Sequence, residues 1–169
     1  GELEAAIGIE QLKRLEKIIK TKQSEAKKIT AGLKKIKGLI TPKIEKDCSH
    51  SFYVYPLLLD NKIIKISRDK IINALNKEGV KGLCGGYANI HLLPVFQNKI
   101  AYGKHGFPWT YINSRKDINY KKGICPVAEE LNDKTFFGIE MCLYEYNDKN
   151  IEELINAFQK VFENLDEVD

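Results

Sequence analysis

An amphipathic run at the start of the chain is the feature that most constrains its fold. In "GELEAAIGIEQLKRLEKII" the apolar side chains recur three or four positions apart, which places them on one face of an α-helix. The same spacing continues as far as Ile36, and Gly38 supplies a stop, so we predict a helix over residues 1–37. Only Gly1 and Glu2 precede the first apolar residue, without an initiator Met, so we expect a helix cut from a longer chain. A helix of this length must lie against other elements.

The composition of the 169 residues is that of one folded globular domain. Hydrophobic residues make up 43% and charged residues 30%, and a chain of this length can bury a core without disulfides or metals. Lysine accounts for nearly all of the 27 basic residues, a pattern that disfavours a nucleic-acid partner because phosphate and base contacts favour arginine. The stretch "CSHSFYVYPLLL" is shorter than the roughly 20 apolar residues of a membrane span, so we expect no membrane partner.

Four cysteines are scattered along the chain, at Cys48, Cys84, Cys125 and Cys142. They form no CxxC pair and have no histidine nearby at the spacing of a zinc site, so we expect free thiols and no metal. Free thiols are typical of the cytoplasm, which is the expected location.

The rest of the chain alternates strand-like and helix-like segments. "SFYVYPLLL" predicts a strand with Phe52, Val54 and Leu57 on one face and Tyr53 and Tyr55 on the other. Further strands are predicted at "VKGL" and "FFGIEMCLY", and further helices at "SRDKIINALNKEGV", "CPVAEELND" and "NDKNIEELINAFQKVFENL". Helices that cover a small, mostly antiparallel sheet would bury every apolar face. We therefore predict a two-layer α+β fold for residues 1–169 as a single domain.

Residues 84–122 lack the pattern of a helix or a strand. They hold four glycines, two prolines, the only tryptophan and two of the three histidines, and such a long irregular segment indicates a functional loop or a surface that packs on a partner. Phe107 and Trp109 could stack on a ring or fill a subunit interface, and we favour the interface.

His91, in "GGYANIHLLPVFQ", is the most informative polar residue of that segment. Its imidazole could donate to a sugar hydroxyl or a phosphate oxygen, or it could cap a buried backbone group. His50 and His105 are expected to be surface or loop residues. The chain has no Walker loop, nucleophile elbow, HExxH or GxGxxG motif, so the residues alone predict no self-contained active site.

Six segments, in order, resemble the second half of the DegT/StrS-type sugar aminotransferases. "GELEAAIGIEQLKRLEKI" is similar to the run that opens a long helix in that family, and "HSFYVYPLLL" to its His-x-Tyr-x-x-Tyr strand. "SRDKIINALNKEGV", "IHLLPVF", "CPVAEEL" and "NDKNIEELINAFQKVF" resemble the segments that follow. The sequence departs from the family in "LLP", where Leu-Gln-Pro is commoner, and in a longer stretch between Gln97 and Ile124.

The resemblance implies the small C-terminal domain of a pyridoxal-phosphate enzyme of aspartate-aminotransferase type. Such an enzyme moves an amino group from glutamate to a nucleotide-linked keto sugar, in the synthesis of cell-surface polysaccharide or glycan sugars. The family's Schiff-base lysine belongs to an N-terminal cofactor domain, so we expect no catalytic or cofactor-binding residue here, no bound cofactor and an inactive fragment. His91 and Tyr87 are the implied substrate-binding residues, in an irregular substrate or interface segment over 84–122, and a homodimer is expected.

Two functions from other classes stay open. The lysine-rich opening helix could act as a stand-alone nucleic-acid-binding module, which would require salt-sensitive binding. It could also belong to a structural domain whose long helix docks a partner protein.

Overall fold

The first helix extends beyond the elements that cover its end. In the computed structural model, which describes residues 1–168, α1 is Glu2–Leu33. Its buried residues all lie in its final twelve positions: Lys22, Glu25, Ala26, Ile29 and Leu33. The apolar residues nearer the start remain exposed: Leu3, Ile7, Ile9, Leu12, Leu15 and Ile18. The predicted end at residue 37 is too late, because the chain turns after Leu33 and reaches Gly38 with a φ of 84°.

Four further α-helices follow within residues 1–168, and the two longer ones have side-chain caps. The helices are α2 (Arg68–Lys77), α3 (Pro94–Gln97), α4 (Pro126–Glu130) and α5 (Asp148–Glu163). Ser67 accepts the N–H of Lys70 at the start of α2, and Asn147 and Asn150 form a reciprocal capping box at the start of α5. These caps satisfy backbone donors that have no partner within the helix, which fixes where each helix begins.

The sheet is small and antiparallel, as the sequence predicts. Its strands are β1 (Leu39–Ile40), β2 (Tyr55–Leu59), β3 (Leu83–Cys84) and β4 (Phe136–Ile139), in the order β1-β2-β4-β3. Every neighbouring pair is antiparallel, and Leu57 lies opposite Phe137 in the central pair. The predicted α+β class is therefore confirmed.

The predicted faces of β2 are wrong. Tyr55 and Leu57 are both completely buried, so Tyr55 lies on the core side rather than opposite to it. The extended conformation is interrupted before the strand at Phe52, whose φ of 53° is in the left-handed region. The alternation of more buried and less buried side chains therefore begins at Tyr55. Phe52 is part of the core but lies outside the strand.

The end of α1 packs closely against α5, and both help to bury the sheet. A Cβ atom built on Gly32 would lie 2.4 Å from Cδ1 of Ile155, which shows how near the two helices approach. The largest completely buried side chains are Tyr55, Phe137, Phe158, Ile29, Leu33, Leu57, Ile71, Leu75, Ile139 and Met141. They come from α1, α2, α5, the two central strands and the turn after β4. One shared core thus joins the helices to the sheet.

Candidate functional site

A cavity of about 580 Å³ brings together the two residues predicted to bind substrate, His91 and Tyr87. The lining consists of Gly86, Tyr87, Ala88, Asn89, Ile90, His91, Phe96, Tyr120, Cys125, Ala128, Leu131, Asn132 and Phe136. It therefore combines the irregular segment with α4, the π-helical turn at Leu131–Thr135 and the first residue of β4. A larger cavity of about 710 Å³ lies between residues 78–81 and α5, and its lining includes neither predicted residue.

A tight turn after β3 brings the chain into the cavity. Gly86 has a φ of 73°, and a Cβ atom there would lie 2.9 Å from both the backbone oxygen and Oδ1 of Asn132. The next N–H, that of Tyr87, donates to Oδ1 of Asn132 at 3.1 Å. Arg68 also binds the segment that contains Asn132. Its Nη1 donates to the backbone oxygens of Asn132 at 2.5 Å and Phe136 at 3.2 Å. The glycine thus allows a close approach of two backbone segments.

His91 forms a nearly buried pair with Glu129 of α4. The distance from Nε2 to Oε1 is 2.8 Å, and the two side chains are only 11% and 8% exposed. Glu129 also accepts the N–H of Gly123, at 2.8 Å from each oxygen, and that of Cys125 at 3.3 Å. Nε2 of His91 therefore contacts the Glu129 carboxylate rather than a backbone group, and contact of the ring with a sugar hydroxyl or a phosphate oxygen stays a prediction.

The surroundings of Glu129 stabilise its ionised form. Burial alone raises the pKa of this carboxyl, but the N–H of Gly123, the hydrogen bond from His91 and the N–H of Cys125 together outweigh burial. The pKa of Glu129 is therefore lowered from its ordinary value. An ionised carboxylate thus sits behind the histidine that lines the cavity.

Aromatic side chains of the irregular segment form one wall of the cavity. Trp109 Nε1 donates to the Tyr120 hydroxyl at 3.0 Å, and Phe96 meets both rings, with centroids 6.2 Å from Trp109 and 5.2 Å from Tyr120. Gln97 ties this wall to His91, because its Nε2 donates to the backbone oxygens of His91 and Tyr120, both at 2.7 Å. Trp109 therefore packs inside its own segment, whereas Phe107 remains exposed.

Residues 84–122 are irregular but not unstructured. Besides β3 and α3, they contain a 3-10 turn at Ile90–Leu92 and a bridge between Tyr102 and Phe107. Lys99 Nζ donates to the backbone oxygen of Ile118 at 2.9 Å, which closes the longer stretch on itself.

His50 and His105 lie away from this cavity, whereas Tyr87 lies at its edge. Nδ1 of His50 accepts the N–H of Phe52 at 2.8 Å, so this residue holds the turn before β2. His105 is exposed on a loop. Tyr87 is 73% exposed at the cavity mouth, and a hydrogen bond with Tyr53 raises the pKa of its hydroxyl.

Glu129 is the functional candidate that the sequence argument missed. It lies 38 positions from His91, and a glutamate on a short amphipathic helix ordinarily indicates a solvated face. A signal for Glu129 was present in the sequence, because it lies in "CPVAEEL", one of the six segments that resemble the family.

Residues 1–168 contain neither a candidate metal site nor a helix suited to span a membrane. Within that range no three His, Cys, Asp or Glu side chains are grouped so that they could hold a metal ion. No helix in the same range combines the length and the apolar character needed to cross a membrane.

Comparison with known proteins identifies relatives along nearly all of the chain. The sequence model of the DegT/DnrJ/EryC1/StrS aminotransferase family matches residues 1–135. The uncharacterized protein MJ1066 of Methanocaldococcus jannaschii is 30% identical over 161 residues, which cover 95% of this chain and 36% of that protein. The spore coat polysaccharide biosynthesis protein SpsC of Bacillus subtilis is 33% identical over 107 residues, or 63% of this chain and 28% of SpsC.

A solved structure supports the same fold. The aminotransferase from Psychrobacter cryohalolentis superposes with a TM-score of 0.72 at 22% identity, over 98% of this chain and 39% of that structure. The chain thus spans about a third of the length of the relatives that it matches.

Proposed function

The chain belongs to the DegT/DnrJ/EryC1/StrS aminotransferase family, and from this premise we propose that it is the C-terminal domain of a sugar aminotransferase. The proposed reaction transfers an amino group from glutamate to the keto carbon of a nucleotide-linked sugar. The proposed cofactor of the complete enzyme is pyridoxal phosphate, which supplies the electron sink for such a transfer when it is bound.

The convergence of family-like segments on one cavity is the observation that carries this proposal. His91 lies in "IHLLPVF" and Glu129 in "CPVAEEL", and the two side chains meet at 2.8 Å. Tyr87 reaches the same cavity from the turn after β3. We assign His91 and Tyr87 to substrate binding, since a concave site with few polar groups is typical of ligand recognition.

The cavity does not fit pyridoxal phosphate as a complete site. Neither a lysine nor an arginine lines it, so its described residues provide no Schiff-base nitrogen and no cation for the phosphate. We therefore assign no catalytic or cofactor-binding residue to this chain and place the catalytic lysine in another part of the complete enzyme. On this proposal the 169-residue chain alone is inactive.

The exposed face of α1 supports a larger assembly. Ile18 precedes buried Lys22 by one helical turn, and Leu15 and Ile7 continue the same side toward the start of the chain. A long apolar stripe in water is unfavourable, and we propose that an N-terminal cofactor domain or the second subunit of a homodimer covers it.

The proposal is tested by two half-reactions in the complete enzyme. With uridine- and thymidine-diphosphate keto sugars as acceptors, His91→Ala should raise KM roughly ten-fold, because the substrate loses a hydrogen bond. The half-reaction with glutamate should change less than about two-fold. His105→Ala, a substitution of an exposed histidine, is the matched control. Equal losses in both half-reactions would contradict a sugar-facing His91.

Inactivity of the chain alone is tested separately. Incubation of residues 1–169 with pyridoxal phosphate and borohydride should label no single lysine to completion. Stoichiometric labelling of one lysine would place the catalytic residue within the chain and overturn the assignment.

A further inference from the structure

We propose that Asp133 is a positioning residue of the substrate cavity, because its carboxylate joins two of the walls between which a ligand would lie. One wall is the segment over residues 87–91, which Asp133 contacts at Asn89. The other is the end of the long stretch, which it contacts at Lys122. This inference rests on the proposed function and deepens it, since it names a residue that shapes the sugar site.

The segment over residues 87–91 is attached to the opposite side of the cavity at alternate residues. Tyr87 and His91 make the contacts described above, and between them Nδ2 of Asn89 donates to Oδ1 of Asp133 at 3.0 Å. Asn89 itself lines the cavity. The middle of this wall is therefore held by Asp133.

The wall that contains Tyr120 is held on both sides of that residue. Nε2 of Gln97 donates to the backbone oxygen of Tyr120 at 2.7 Å. Two residues after Tyr120, Nζ of Lys122 donates to Oδ2 of Asp133 at 2.8 Å. Because Tyr120 lines the cavity, a shift of Lys122 would move part of the cavity wall.

The two carboxylate oxygens of Asp133 serve different partners. Oδ1 accepts the side-chain amides of Asn89 at 3.0 Å and Asn132 at 3.1 Å, whereas Oδ2 accepts from Lys122. The hydrogen bond from Lys122 is the largest cause of a lowered pKa at Asp133, so this carboxyl is ionised at neutral pH. The Asp133 side chain is 30% exposed and that of Lys122 is 69% exposed. A single, mostly covered negative charge therefore anchors both walls.

Three substitutions remove these contacts selectively. Asp133→Asn removes only the contact with Lys122, because its oxygen can accept both amides while its NH2 faces the lysine ammonium, where two donors meet. In the reverse orientation the NH2 would face two donors, those of Asn89 and Asn132. Lys122→Met removes the same contact from the other side, and Asp133→Ala removes the contacts with both walls. Lys121→Met, the same change at the neighbouring exposed lysine, is the matched control.

Hydrogen exchange in the complete enzyme measures the positioning without a ligand. We expect the amides of residues 118–123 to exchange roughly two- to five-fold faster in Asp133→Asn and Lys122→Met than in the wild type, because a partly exposed ion pair contributes only modestly to local stability. Asp133→Ala should also accelerate exchange over residues 87–91, and Lys121→Met should change neither range. Exchange equal to that of the wild type in all three variants would overturn the inference.

Kinetics then separate positioning from a general loss of structure. With the uridine- and thymidine-diphosphate keto sugars as acceptors, KM should rise about three-fold in Asp133→Asn and Lys122→Met and roughly ten-fold in Asp133→Ala. The kcat and the half-reaction with glutamate should change less than about two-fold. Adding Asp133→Asn to Lys122→Met should raise KM no further, because the contact is already absent. Equal losses in both half-reactions, or multiplying losses in the double variant, would refute the positioning role.

The two measurements distinguish this inference from the proposed function. If exchange rises as expected while KM is unchanged for every acceptor, Asp133 holds the two walls and the assignment of the cavity to the sugar fails. If exchange is unchanged, the positioning role fails, whatever the kinetics of His91→Ala show.

Discussion

Replacing Gly86 with alanine tests how the turn after β3 supports the cavity. The φ of 73° lies in the left-handed region, where an L side chain costs about 1–2 kcal/mol. The new Cβ would also lie 2.9 Å from two oxygen atoms of Asn132, one of which belongs to the backbone and cannot rotate away. The turn must therefore move, at a further cost of about 1–3 kcal/mol. We expect the free energy of unfolding to fall by about 2–5 kcal/mol in total.

Gly79→Ala separates the two contributions. Gly79 has a φ of 92°, but a Cβ there meets nothing within 4 Å. This variant should lose only the backbone contribution, about 1–2 kcal/mol. Urea unfolding of both variants, compared at equal m-value, measures the difference directly.

The two variants should also differ in their effect on ligand binding. Moving the turn at Gly86 displaces the N–H of Tyr87 from Oδ1 of Asn132, so affinity for UDP-glucose should fall in Gly86→Ala and stay unchanged in Gly79→Ala. Equal destabilisation of the two variants would refute the argument from close approach. So would an unchanged UDP-glucose affinity in a folded Gly86→Ala protein.

Three further outcomes follow from single contacts. Trp109→Phe removes the hydrogen bond to the Tyr120 hydroxyl and should weaken UDP-glucose binding a few-fold, measured by calorimetry, with Tyr120→Phe giving the same loss and the double variant no more. Tyr55→Phe removes the 2.7 Å contact with Thr30 and should lower the free energy of unfolding by about 1 kcal/mol in urea. The lowered pKa of Glu129 means that its stabilisation is complete above about pH 4.3 and is lost as the pH falls through the lowered value. Acid titration of Glu129→Gln should therefore show a shallower loss of stability than the wild type.

The elements that the sequence predicts well are those whose signals are local. The final helix has its apolar stripe and its cap within nineteen residues, and it forms as α5 with Asn147 and Asn150 in a capping box. The faces of β2 could not be predicted in the same way. The core-facing side of β2 is the opposite of the predicted one because Phe52, with its positive φ, interrupts the extended chain before the strand. A period-two pattern of apolar residues does not reveal such an interruption.

In the candidate site, too, the contacts that are local in the chain can be predicted and the long-range contact cannot. His91 and Tyr87 are close in the chain, so their presence in one cavity follows from a single turn. Glu129 reaches His91 across 38 positions, and only the packing of α4 against the irregular segment brings them together. For Trp109 the sequence favours an interface, because it shows no partner for an aromatic residue in a loop. Its partners, Phe96 and Tyr120, come from either side of it along the chain.

The two outer strands of the sheet are only two residues long. An edge strand with unpaired N–H and C=O groups is a template on which another chain can add a strand, and the length of that template sets how many bonds can form. Each of these outer strands offers only two residues, too few to hold a foreign strand in register. The short outer strands therefore limit edge-to-edge pairing with another chain at β1 and β3.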